Sequence, residues 1–163
     1  MQQQFSIPIS DIFAPRPNPG RELFSLLGKP GLITFAGGLP DPVFFDVDGI
    51  RAAYDAVLTN DAATALQYSP ARGLPVMREA AARRLIGDGI DADPSEILIT
   101  SGGQQAIALV TSSMTNPGDV ILVEEPTYMA ALYSIAASGA RAVGVPSDDE
   151  GIDPVALEAA IKA

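Results

Sequence analysis

The chain has 163 residues, 47% of them hydrophobic, and a formal net charge of −10. That length suffices for one domain with a core of its own, and the acidic balance opposes nucleic acid and anionic membranes as partners. Cysteine and histidine are both absent, which removes disulfides, thiolate chemistry, the usual metal ligand and the usual general base, so no metal site is expected.

Residues 1–20 read as an irregular arm broken by Pro8, Pro15, Pro17 and Pro19. Met1 to Phe5 carries neither a basic n-region nor an apolar h-region, and no uncharged apolar run is long enough to span a bilayer, so a cytoplasmic location is expected. Arg21 to Leu27 reads as a short helix, and Leu32 to Phe35 as a short strand leading into the glycine turn Gly37-Gly38. Asp46 to Thr59 has helical spacing, with Asp46 as its cap and Val47, Ile50, Tyr54, Val57 and Leu58 on the inner face.

Tyr68 follows on a loop that also carries Pro70 and Gly73. Leu74 to Ile86 predicts a second helix with Leu74, Met77, Ala81 and Leu85 inward and Pro75 in the first turn, closed by Gly87. Its basic cluster, Arg78, Arg83 and Arg84, reads as a solvated face paired with Glu79 and nearby acids.

Glu96 to Thr100 is short, apolar and β-prone, as a strand buried in a parallel sheet should be. Ser101-Gly102-Gly103-Gln104 then turns sharply into a helix on which Ile107, Val110 and Met114 repeat. The free N–H groups of a first helical turn and the positive end of its dipole favour an anion such as phosphate. Tight packing of a strand-to-helix turn would use the same glycines.

Asn116-Pro117-Gly118-Asp119 is a turn before the strand Val120 to Val123, which ends in Glu124-Glu125-Pro126-Thr127-Tyr128. Tyr128 thereby falls at the carboxyl end of a strand, where ligands collect in open α/β sheets, and its ring suits either stacking on a planar ligand or packing on the sheet. Thr127 to Ser138 reads as a small-residue helix with Ala131, Leu132 and Ile135 inward, stopped by Gly139. Arg141 to Val145 follows as a strand, Ser147 to Gly151 as a polar connection, and Asp153-Pro154 as the cap and first turn of a last helix. The alternation predicts an α/β fold with a mostly parallel sheet.

Four segments in this order, Gly37-Gly38-Leu39-Pro40, Tyr68 to Gly73, Ser101 to Gln105 and Asn116-Pro117-Gly118-Asp119 with Glu125 to Tyr128, resemble the class I/II aminotransferases, which are fold-type-I pyridoxal-phosphate enzymes. Their wording is most similar to the branch of 2-aminoadipate, kynurenine and broad-specificity aminotransferases. The resemblance implies a three-layer α/β large domain around a mostly parallel sheet, here truncated, with residues 1–45 as arm and substrate-side segment and 46–163 as the amino-terminal part of the large domain. It implies pyridoxal 5′-phosphate as cofactor, amino acids and 2-oxo acids as substrates, and a homodimer.

By the same resemblance, Gly103 and Gln104 bind the cofactor phosphate through backbone N–H groups and the Gln104 amide, Tyr128 stacks on the ring, Tyr68 reaches the phosphate of the partner subunit, and Gly38 lies near the substrate carboxylate. Such an enzyme also needs a lysine to hold the cofactor, an acid at the pyridinium nitrogen and an arginine for the substrate carboxylate. Lys29 and Lys162 are the chain's lysines, and neither follows the cup strands in the context the family uses. No catalytic residue is therefore expected within this chain, and it should not transaminate alone. Two alternatives share the same cup: a decarboxylase or lyase, and the ligand-sensing domain of an aminotransferase-like regulator, whose helix-turn-helix module would precede this region.

Overall fold

The computed structural model describes residues 31–33 and 38–163. The expected arm, the helix Arg21 to Leu27 and Lys29 lie outside the described residues, as does half of the expected strand Leu32 to Phe35, whose Leu32 and Ile33 carry no strand structure. The chain divides into two compact units that meet in sequence at Ile99 and Thr100.

In the unit that ends at Ile99, Asp46 caps α1 (Val47–Ala65), accepting a 2.8 Å hydrogen bond from the Gly49 N–H as its position predicts. This helix runs six residues past the expected Thr59, through a kink at Asp61, where φ is −147°. Its apolar stripe is exposed rather than inward, with Tyr54 67% and Ile50 56% accessible. Spacing marks the face that would be buried, but burial needs a partner, and none packs on it among the described residues.

Pro70 to Gly73 forms a turn closed by Gly73 N–H to Pro70 O at 2.8 Å, and α2 (Pro75–Gly87) follows with its proline at the start. Ala82 is the buried residue of α2, while Met77 is exposed. The helix runs through Gly87, and the residue with positive φ is Gly89, at +85°. Arg78 corrects the expected solvated face: it is part-buried and donates to Pro94 O at 2.8 Å.

Glu96 to Thr100 is not a strand. Pro94–Glu96 is a 3-10 turn capped by Asp93, Ile97 after it is extended, and residues 97–100 join no ladder among the described residues. The Asp93 carboxylate accepts from the Ser95 N–H, and this backbone bond holds its pKa below the ordinary aspartate value. A strand is completed by a partner's backbone, and Ile97-Leu98-Ile99 finds none in the sheet among the described residues.

The second unit is a compact α/β array. Its elements are α3 (Gly103–Met114), β1 (Val120–Glu125), α4 (Met129–Ala137), β2 (Arg141–Asp148), β3 (Gly151–Ile152) and α5 (Pro154–Lys162). β1 and β2 pair in parallel from Val120↔Arg141 to Glu125↔Pro146, with α4 as the crossover.

The register is set at the amino ends. Gly118 N–H donates to Gly139 O at 2.9 Å and Arg141 N–H to Asp119 O at 2.8 Å, so the turn before β1 is bonded to the stop before β2. Gly139 has φ of +82°, and a Cβ there would lie 3.1 Å from Pro117 Cα. Only glycine satisfies both conditions without strain.

The polar connection expected over Ser147 to Gly151 is instead a hairpin. β2 runs on to Asp148, turns at Asp149-Glu150 and pairs antiparallel with β3, giving the order β1-β2-β3 and a mixed sheet. Asp153 then caps α5 through Val155 N–H at 2.8 Å and Ala156 N–H at 3.3 Å. Among the described residues of this unit the buried hydrophobic ones are Val145, Ile135 and Ala140, which lie where α4 meets β2. On α3 the buried residue is Thr111, while Val110 and Met114 of the expected inner face are exposed.

Candidate anion and ring site at the start of α3

Helix α3 has 12 residues and β1 has six, lengths of about 18 Å and about 20 Å. The short turn Asn116 to Asp119 between them reverses the chain. The start of α3 therefore lies toward the carboxyl end of β1, the end from which Tyr128 emerges.

That start is open. Gly102 takes φ of +91°, a conformation that favours glycine, and no side chain among the described residues caps the helix. The first backbone donor to find an acceptor is Ala106, which reaches Gly102 O at 3.4 Å. The N–H groups of Gly103, Gln104 and Gln105 form the donor end of the dipole, where an anion is stabilised. Ser101 N–H is taken by the Gln105 side-chain carbonyl. Thr100 Oγ1 donates to Gly102 O at 3.2 Å, closing the turn from within.

The Gln104 amide is directed elsewhere. Its Nε2 donates to Ala130 O at 3.0 Å and to Ser134 Oγ at 2.9 Å, so the side chain ties α3 to the first turns of α4. Both amide hydrogens are engaged by α4, whereas the resemblance gives this side chain a contact to phosphate. The same two bonds bring Tyr128 close, because Ala130 is two residues beyond it.

Tyr128 precedes α4 in extended conformation and is 63% exposed, so its ring is not spent in packing. The Glu125-Pro126 peptide bond just before it is cis. Gly103, Gln104 and Tyr128 thus belong to the same unit.

Tyr68 and Gly38 belong to the other unit. Tyr68 is 97% exposed on its loop, with its backbone N–H bonded to the Gln67 side chain at 2.8 Å. Gly38 has φ of +58°, and a Cβ there would meet no atom within 4 Å, so positive φ alone calls for glycine. Lys162 is at the end of α5, paired with Glu158. No cluster of metal-ligating side chains occurs among the described residues, and no helix among them is long and apolar enough to cross a membrane.

Ser134 was not singled out from the sequence, although it matters most to the Gln104 tether. The available signal was its place beside Ile135 on the inward face of α4, where a polar residue 8% exposed needs a partner.

Residues 45–163 match the family described as aminotransferase class I and II. The chain is 39% identical over 142 residues to the 2-aminoadipate transaminase of Thermus thermophilus, covering 87% of this chain and 34% of that protein. It is 34% identical over 134 residues to an uncharacterized HTH-type transcriptional regulator of Escherichia coli, covering 82% of this chain and 29% of the regulator. Among solved structures it is similar to Pyrococcus horikoshii kynurenine aminotransferase, solved with PMP, at a TM-score of 0.81 and 37% identity over 91% of this chain and 37% of that one. The chain thus spans about a third of the length of these relatives.

Proposed function

Because this chain belongs to the class I and II aminotransferases, we propose that it supplies the amino-terminal part of the cofactor cup of a pyridoxal-phosphate-dependent aminotransferase. The reaction is transfer of an amino group from an amino acid to a 2-oxo acid. The observation that carries this reading is the open start of α3 tied by Gln104 to the turn of α4 that follows Tyr128.

These residues fit the cofactor. Phosphate would accept from the N–H groups of Gly103 and Gln104, where the helix dipole favours its charge and where Gly102, lacking a side chain, lets the anion approach. Tyr128 would lie against the ring, a contact suited to its exposed face. The bound ring would supply the electron sink that lets an amino acid lose its Cα proton. Gly103, Gln104 and Tyr128 would hold that ring and exclude water from one side, and none of them moves a proton.

The exposed Tyr68 supports a homodimer in which its hydroxyl reaches the phosphate of the partner subunit, and Gly38 would allow close approach of the substrate carboxylate. A cytoplasmic location belongs to the same proposal. In the sequence, neither Lys29 nor Lys162 has the context the family uses for its covalent cofactor link, so the 163 residues alone would not turn over. A ligand-sensing role is the second reading, favoured by the similarity to HTH-type regulators.

The test uses the full-length protein. Retention of one pyridoxal phosphate per chain, with amino transfer between an amino acid and a 2-oxo acid, is the expected result. Tight cofactor retention without turnover would favour the regulator, and loss of the cofactor on gel filtration would refute both readings.

A further inference from the structure

Helix α3 opens with half of a capping arrangement. In the full arrangement the cap side chain takes the N–H of the third helical residue, and a glutamate or glutamine at that third position reaches back to the backbone N–H that precedes the helix. Here the cap is Gly102, which has no side chain to offer, so the N–H groups of Gly103, Gln104 and Gln105 stay open to a ligand. The returning half is kept. Gln105, the third residue of α3, accepts the Ser101 N–H with its side-chain carbonyl. Thr100 Oγ1 donates to Gly102 O at 3.2 Å, the same carbonyl that receives the first helical bond from Ala106 N–H. All of these residues lie in the unit that holds α3.

Packing does not explain the two glycines. A Cβ at Gly102 or at Gly103 would meet no atom within 4 Å among the described residues. Gly102 is required by its φ of +91°, whereas Gly103 is not among the glycines of positive φ, so what glycine supplies there is room above the helix donors. Two glycines in succession leave the backbone its greatest freedom and make it the hardest to order. Among the described residues, the bonds made by Gln105 and Thr100 are the side-chain bonds that hold this turn.

We infer that Gln105 and Thr100 are positioning residues, which fix the turn 100–103 before a ligand arrives and thereby set the protein's preference for a phosphorylated ligand without touching it. This rests on the cofactor reading above. A purely structural role would lower stability and leave ligand preference unchanged, whereas a loosened turn weakens phosphate contacts and spares the rest of the ligand.

The test measures dissociation constants of the full-length protein for pyridoxal phosphate and for pyridoxal, which lacks the phosphate, by absorbance titration. The ratio of the two constants is compared for wild type, Gln105→Met, Thr100→Val, Thr100→Ser and the variant that carries both Gln105→Met and Thr100→Val. Binding must then order backbone that wild type holds in place, so phosphate preference should fall by about threefold or more in Gln105→Met and in Thr100→Val. Thr100→Ser should stay closer to wild type, because its hydroxyl still reaches the Gly102 carbonyl. The double variant should lose less than the product of the single losses, since both bonds hold one turn. Losses that multiply would mean two separate ligand contacts and would overturn the positioning role. Thr100→Val keeps the branched shape of the side chain and decides the matter if Gln105→Met fails to fold. A smaller loss in the folded variants, even with lowered melting temperatures, would also overturn the inference. If wild type itself binds pyridoxal phosphate no better than pyridoxal, the cofactor reading fails and this inference falls with it.

Discussion

Replacing Gln104 by methionine keeps the length of the side chain and removes its two donated hydrogen bonds, to Ala130 O at 3.0 Å and Ser134 Oγ at 2.9 Å. A neutral hydrogen bond contributes about 1 kcal/mol net, and both of these cross from one helix to another. Ala130 O can accept from water, and the Ser134 hydroxyl can turn back to a carbonyl of its own helix, so little desolvation penalty adds to the loss. Gln104→Met should therefore cost about 1 to 2 kcal/mol, read as a lower urea midpoint at unchanged slope. The backbone N–H groups at the start of α3 remain, so affinity for pyridoxal phosphate should fall by no more than about threefold. Folding and cofactor binding are measured on the same full-length preparation. An unchanged midpoint with a tenfold or greater loss of affinity would mean that the amide serves the phosphate rather than α4, which would refute the assignment made from these two bonds.

Tyr128→Ala should weaken cofactor binding several-fold, since one stacking contact is worth about 1 kcal/mol. Because the ring is 63% exposed, its urea midpoint should hardly move, and a large stability loss would show that the ring packs instead. Tyr68→Phe should lower cofactor retention in mutant homodimers and recover in mixed dimers whose partner keeps Tyr68 but is disabled at its own site; failure of the mixed dimers would exclude a role across the interface. Gly139→Ala, at φ of +82° with Pro117 Cα 3.1 Å from the new Cβ, should destabilise the β1-β2 start by about 1 to 3 kcal/mol in urea unfolding. A change under about 0.5 kcal/mol, the range of ordinary surface substitutions, would show that the two turns are not locked as described.

What could be read from the sequence was whatever a few consecutive residues decide among themselves. Asp46 and Asp153 cap helices because a short carboxylate reaches N–H groups two or three residues on. Gly102 and Gly139 mark turns because their φ values suit glycine. β1, α4 and β2 follow from apolar runs between such stops, and the family from four such segments in order. Tertiary structure alone decided the rest, because each decision depended on a partner far along the chain. The Gln104 amide turned to Ala130 and Ser134, 26 and 30 residues away, and Arg78 left solvent for a carbonyl 16 residues away. Among the described residues, Glu96 to Thr100, which has the composition of a strand, meets no neighbouring backbone in the sheet, and the apolar stripe of α1 meets nothing to cover it. Composition and spacing state what a residue can bind or bury; hydrogen bonds and apolar contacts form only where the fold delivers the matching group.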